Sequence, residues 1–257
     1  MLFTRDIKRQ FDLLRLLTEK EIILKYRRSY LGIFWSLLNP LLFSIILFVA
    51  FKMILRFEVK DYLLFILSAL FPWTWFSTSV TISSGSLISN VNLIKKVIFP
   101  RYFLPISVIL AQLVNLLFAI PIVIGLVFLH NRSPNLIWLA GVPVLIFVQT
   151  IITSGFSFAV SSMNAYFRDI EHLIGVFITM LFYITPIFYP IDIVPESYRF
   201  YFNLNPLTPL MSSWRKLFME NIIDWHAIGV SSLLSLISLI IGFFIFRQLG
   251  RRLDEVL

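Results

Sequence analysis

Gly32-Ile-Phe-Trp-Ser-Leu-Leu-Asn-Pro-Leu-Leu-Phe-Ser-Ile-Ile-Leu-Phe-Val-Ala-Phe51 is a run of 20 residues without a charge. At about 1.5 Å per residue a helix of that length covers about 30 Å, the hydrocarbon thickness of a bilayer. Five more uncharged runs follow, at Tyr62–Ile82, Phe103–Leu129, Leu136–Val160, Leu173–Tyr189 and Ala227–Phe246. The expected fold is an all-α integral membrane protein of six transmembrane helices. Prolines within the runs, such as Pro40, Pro72 and Pro186, are tolerated in membrane helices.

The composition agrees. Of 257 residues, 58% are hydrophobic and 14% charged, where a soluble domain carries about 25% charge. An ordinary globular enzyme and a disordered chain are both excluded. The net charge of +8 reflects basic loops on one side of a membrane rather than nucleic-acid binding. With both ends inside, 15 Lys and Arg residues face the cytoplasm and 7 face out. That bias orients both termini to the cytoplasm. The chain has no cysteine, and its three histidines are far apart in sequence. This pattern argues against disulfides, thiol chemistry and a metal site.

Three segments do not span. In residues 3–25, Phe3, Ile7, Phe11, Leu14 and Leu17 recur at helical spacing with Arg5, Lys8, Arg9 and Arg15 between them. This is an amphipathic interfacial helix, either a plain anchor or a docking surface. Residues 88–101 form a cytoplasmic loop with a basic end, Lys95, Lys96 and Arg101, stopped by Pro100. Residues 190–226 carry an apolar stretch broken by Pro206 and Pro209, too short to span. It suits short re-entrant helices before span 6, acting as an outer gate with Asn205, or a hairpin resting on headgroups. The chain thus divides into residues 1–30, the interfacial helix and the approach to span 1, and residues 31–257, one membrane domain.

The sequence lacks a GxxxxGK[ST] loop, an HExxH helix and a GxSxG elbow, so it brings no phosphate cradle or hydrolase motif of its own. Its spans are free of the ionisable groups that ion-driven pumps usually carry. They carry hydroxyl and amide stripes instead. Thr74, Ser77 and Thr81 share a face of span 2, and Gln149, Thr153 and Ser157 share one of span 4. With Asn39 of span 1 these are the candidate lining of a neutral polar passage. Ser231, Ser235, Ser238 and Gly242 of span 6 fit helix–helix packing better. Trp73, Trp75, Trp138, Trp214 and Trp225 fit an interfacial belt. Tyr26, Arg27, Arg28, Tyr30 and Trp35 gather where the interfacial helix meets span 1. There the arginines could grip a pyrophosphate and the rings lie along sugars; positive-inside anchoring explains the same residues.

Four motifs carry a family resemblance. Lys25-Tyr-Arg-Arg-Ser-Tyr-Leu-Gly-Ile-Phe-Trp-Ser-Leu-Leu-Asn-Pro-Leu41, Tyr166-Phe-Arg-Asp-Ile170, Thr185-Pro-Ile-Phe-Tyr189 and Asn205-Pro-Leu-Thr-Pro-Leu210 resemble, in order and spacing, the permease subunits of type-2 ABC exporters. The similarity is strongest to the polysaccharide and O-antigen exporter subgroup. It implies a non-enzymatic transport subunit in the bacterial inner membrane, moving lipid-linked polysaccharide as a homodimer with two copies of a separate ATPase. ATP and Mg would be bound by that partner, with no cofactor in this chain. It also implies that Arg5, Lys8 and Arg9, Lys95 and Lys96, and Arg168 and Asp169 receive the ATPase stroke. Teichoic-acid and small-molecule exporters share the fold. A passive channel and a membrane glycosyltransferase are the alternatives from other classes.

Overall fold

The computed structural model describes residues 2–27, Gly32 and residues 34–250, with side chains from residue 8 onward. Among the described residues the chain is helical and has no strand. Its helices are α1 (Leu2–Tyr26), α2 (Phe34–Leu47, continued by a π-helical stretch to Ile54), α3 (Tyr62–Ser84), α4 (Val91–Lys96), α5 (Phe103–Leu129), α6 (Ile137–Tyr166), α7 (Ile170–Ile184), α8 (Glu196–Leu204), α9 (Leu207–Glu220) and α10 (Trp225–Gly250).

Five of these are long and apolar enough to cross a bilayer: Phe34–Ile54, α3, α5, α6 and α10. The fifth expected span is shorter than its apolar run. α7 has 15 residues and stops at Ile184, where Thr185 turns to an extended ψ of 130°. Pro186 follows, and the residue before a proline is driven out of the helical region. The next stretch is non-helical as far as a 3-10 turn at Ile191–Ile193.

α3 is the axis of the bundle. Of its most apolar window 78% is buried, against 17% for the span that contains α2. α2, α5, α6, α7 and α9 all pack on it. α9 is also enclosed, with Leu207, Leu210, Met211 and Trp214 fully buried against α3, α6 and α10. α8 has no buried residue.

The irregular backbone after α7 is held by side chains, as buried backbone in lipid requires. Arg215 of α9 donates to the carbonyls of Pro186 and Ile187 at 2.9 and 2.8 Å. Tyr62 donates to the Phe188 carbonyl at 2.6 Å. Asn205 donates to Thr185 Oγ1 at 2.9 Å.

The tryptophans depart from the expected belt. Of the five expected there, Trp73, Trp75, Trp138 and Trp214 are buried and Trp225 is exposed. Three of the buried indole N–H groups have partners inside the bundle. Trp75 donates to the Ile109 carbonyl at 3.1 Å, Trp138 to Asn221 at 2.7 Å and Trp214 to Gln149 at 2.7 Å. A satisfied indole no longer needs the headgroup region.

A smaller core forms at the other end of the bundle. Leu13, Leu14 and Leu17 of α1 join Leu93 and Ile94 of α4, with Leu104 of α5 and Phe246 of α10. Lys20 of α1 also donates to Asn90 just before α4. The interfacial helix and the loop after α3, read separately in the sequence, therefore form one platform.

Candidate functional site

A cavity of about 630 Å³ opens between the end of α1 and helices α2, α3, α5 and α7. Each helix supplies what its sequence makes available. α2 and α7 are apolar and aromatic, and contribute Trp35, Phe43, Phe182 and Tyr183. α3 contributes Trp73 and a hydroxyl row, Thr74, Ser77 and Thr78. These hydroxyls spend their protons on the helix backbone: Thr74 on Leu70 at 2.8 Å, Ser77 on Thr74 at 3.2 Å and Thr78 on Thr74 at 2.6 Å. Their lone pairs remain available as acceptors toward the cavity. No carboxylate lies on the described wall.

The α1 end of the cavity carries a polar network. Asn115 Oδ1 accepts from Tyr26 at 2.5 Å and from Ser36 at 3.0 Å. Asn115 Nδ2 donates to Gln112 Oε1 at 2.8 Å, and Lys25 Nζ donates to the same oxygen at 2.6 Å. One amide pair of α5 thus joins the interfacial helix to span 1. Burial pushes the Lys25 ammonium down to about 8 and pushes the Tyr26 phenol up.

The expected site residues distribute unevenly. Tyr26, Trp35, Asn39, Thr74 and Ser77 lie on the cavity wall. Arg27 is exposed at the end of α1 and is not part of that wall. Arg28 and Tyr30 lie outside the described residues, as does the side chain of Arg5. Thr81 is exposed beyond the cavity.

The span 4 residues are not on this wall. Gln149, Thr153 and Ser157 are fully buried and absent from the wall. Gln149 donates to the Pro72 carbonyl at 2.6 Å and accepts from Trp214, while Thr153 donates to the Gln149 carbonyl at 2.6 Å. They serve the seam between helices, because α3 and α9 cover that face of α6.

Lys8, Arg9, Lys95 and Lys96 are exposed on the α1–α4 platform. Arg168 and Asp169 are exposed in the turn from α6 to α7. At the opposite end, Asn205 accepts from the Leu207 N–H at 3.1 Å and so caps α9. Pro206 accepts from Ser231 at 3.0 Å, and Pro209 is buried in the first turns of α9.

Lys25, Gln112 and Asn115 were not singled out in the sequence. Gln112 and Asn115 are two amides three residues apart in an otherwise apolar span. That spacing puts them on one helix face, a signal equal to the stripe in span 4.

Comparison with known proteins decides the family. Residues 12–219 match the ABC-2 type transporter family. The chain belongs to the ABC-2 type transporters. This ABC-2 chain is a multi-pass membrane transport protein, and its relatives match it nearly end to end. It is 38% identical over 247 residues to the O-antigen export system permease protein RfbA of Klebsiella pneumoniae, covering 96% of this chain and 95% of that one. It is 31% identical over 220 residues to the RfbA protein of Myxococcus xanthus, covering 84% of each. The polysialic acid transport protein KpsM of Escherichia coli is 24% identical over 242 residues, covering 89% of this chain and 90% of that one.

Proposed function

We propose that this chain is the permease of an ATP-driven O-antigen exporter in the bacterial inner membrane, with both termini in the cytoplasm. The cavity carries the reading: among its described residues the wall is aromatic faces, hydroxyl acceptors and amides, with a single lysine at one end. Sugars present C–H faces to aromatic rings and hydroxyls to neutral acceptors. A wall of this kind holds a glycan without committing to its sequence. The names of the relatives in Klebsiella and Myxococcus support the same cargo.

Two copies of the chain enclose the path. α2 supports this, because Phe34, Leu42, Ile45, Ile46 and Met53 are left exposed beside the cavity. Two ATPase subunits bind ATP and Mg and push on the α1–α4 platform. That platform offers them an apolar knob, Val97 and Ile98, beside the charges of Lys95 and Lys96. Arg168 and Asp169 form a second contact. The stroke reaches the cavity through the Tyr26–Asn115–Ser36 hydrogen bonds, and α8 and α9 close the far end.

The test fills the cavity. Thr74→Trp and Asn39→Trp should abolish surface polysaccharide in cells that depend on this permease, while the protein remains in the membrane. Undiminished surface polysaccharide in both variants refutes the path.

A further inference from the structure

Among the described residues the wall of the cavity is neutral except at one point. Lys25 is the one charged side chain among its described residues. Its ammonium donates to Gln112 Oε1 and lies 5.4 Å from the Tyr26 ring centroid. An ammonium has three donors, and a neutral amide and a ring do not neutralise its charge. Lys25 keeps part of its surface open on the cavity wall, and desolvation of the rest lowers it to about 8. The described surroundings take part of the water from the cation and supply no anion. Gln112 Oε1 is shared between Lys25 and Asn115. An arriving anion can therefore take the lysine while Gln112 keeps its bond to Asn115.

We propose that Lys25, oriented by Gln112 and Asn115, is an anion-reading site at the α1 end of the cavity, and that its ligand is the phosphate ester at the head of a glycosylated lipid. This rests on the reading of the cavity as the export path and divides its labour. The rings and hydroxyls of α2 and α3 take the neutral sugars. The lysine takes the charged link between lipid and glycan. Arg27 is exposed and off the described wall. Occupancy is felt by α1 directly, because Lys25 and Tyr26 are its last two residues.

The test uses the complete exporter, permease with ATPase, in neutral-lipid proteoliposomes. ATP hydrolysis is titrated with a polyprenyl diphosphate oligosaccharide, the free oligosaccharide, or phosphatidylglycerol. The diphosphate lipid should stimulate saturably and the other two should not. Lys25→Met should raise the half-stimulating concentration about tenfold or more, the value of one charge-assisted contact, while Lys25→Arg should not. Gln112→Glu keeps the side-chain shape and gives Lys25 its own carboxylate. It should weaken stimulation likewise, and it decides the matter if Lys25→Met fails to assemble. A parental response in Lys25→Met or Gln112→Glu overturns the site. Equal stimulation by phosphatidylglycerol assigns it to bulk lipid and overturns the cargo, as does equal stimulation by free oligosaccharide. Unchanged export in both Thr74→Trp and Asn39→Trp overturns the path itself. Export blocked in Thr74→Trp beside an unaltered Lys25→Met response overturns the lysine alone.

Discussion

Gly155 of α6 and Gly242 of α10 meet backbone to backbone. A Cβ built on Gly242 would fall on the Gly155 carbonyl, and one built on Gly155 would come within 2.6 Å of the Ser238 carbonyl. Helices in lipid gain little from burying apolar surface against each other, so close approach through small residues supplies their attraction. Ser231 and Ser235, fully buried on the same face of α10, extend this seam.

The seam predicts a sharp steric response. Gly242→Ala or Gly155→Ala forces α6 and α10 apart and should cost about 1–3 kcal/mol, the usual cost of overpacking. Gly125 has open space at its Cβ position, and Gly125→Ala should leave stability unchanged. Thermal unfolding in detergent compares the three; equal midpoints would refute the close approach.

Arg215 should behave as a structural clasp. It is 9% exposed, its guanidinium lies 3.6 Å from the Phe65 ring centroid, and it holds the carbonyls of Pro186 and Ile187. Arg215→Leu leaves buried carbonyls unpaired and should cost about 2–4 kcal/mol. Arg215→Lys should recover only part of this, because an ammonium cannot stack flat on the ring while reaching both oxygens. Proteolysis between α7 and α8 should accelerate in both variants, and parental resistance would exclude the clasp.

Gln149 separates a path role from a packing role. Gln149→Leu should lower stability by about 1–3 kcal/mol, since the Pro72 carbonyl and the Trp214 N–H each lose a partner. Gln149→Glu should fare no better, because the ionised carboxylate cannot donate to Pro72 and its charge is penalised by burial. Altered export at parental stability would return Gln149 to the passage.

Asp224 and Lys216 set a pH window. Asp224 accepts from the Ala227 N–H at 3.0 Å, capping α10, and pairs with Lys216 at 2.7 Å. The backbone bond, then Lys216, holds the Asp224 carboxyl below its ordinary range, and Asp224 holds the Lys216 ammonium above its own. A depressed acid contributes stability above its unfolded pKa of about 3.9 that is lost as pH falls through the folded value. A raised lysine contributes below about 10.4, lost as pH rises through its folded value. Unfolding midpoints should therefore be flat between these limits with respect to this pair. Asp224→Asn should keep the cap, remove the acid slope and shrink the basic one, because Glu220 and Asp192 also raise Lys216, whereas Asp224→Ala should also cost about 1 kcal/mol for the cap.

The spans were legible in the sequence because hydrocarbon leaves the backbone one economical choice. An uncharged run of bilayer length must bond its own amides, so Phe103–Leu129 had to be a helix whatever surrounded it. The amphipathic period of α1 was equally local. The break at Pro186 was not legible, because a proline inside an apolar run is tolerated in membrane helices, and the run after Leu173 hid how early α7 would stop. The cavity was not legible in that way. Gln149 and Asn115 are both amides in apolar spans, and nothing within α6 or α5 distinguishes them. Tertiary packing did: α3 and α9 close over Gln149 and take both ends of its amide, whereas Asn115 meets Tyr26 and Ser36 at an open edge. The same holds for Lys25 and Arg27, two basic residues at one helix end. Which of them faces the cavity depends on where α5 passes, a relation between residues 87 positions apart. Local hydrophobicity determines that a segment enters the membrane; only its neighbours determine which of its polar groups is buried and which is left to meet a ligand.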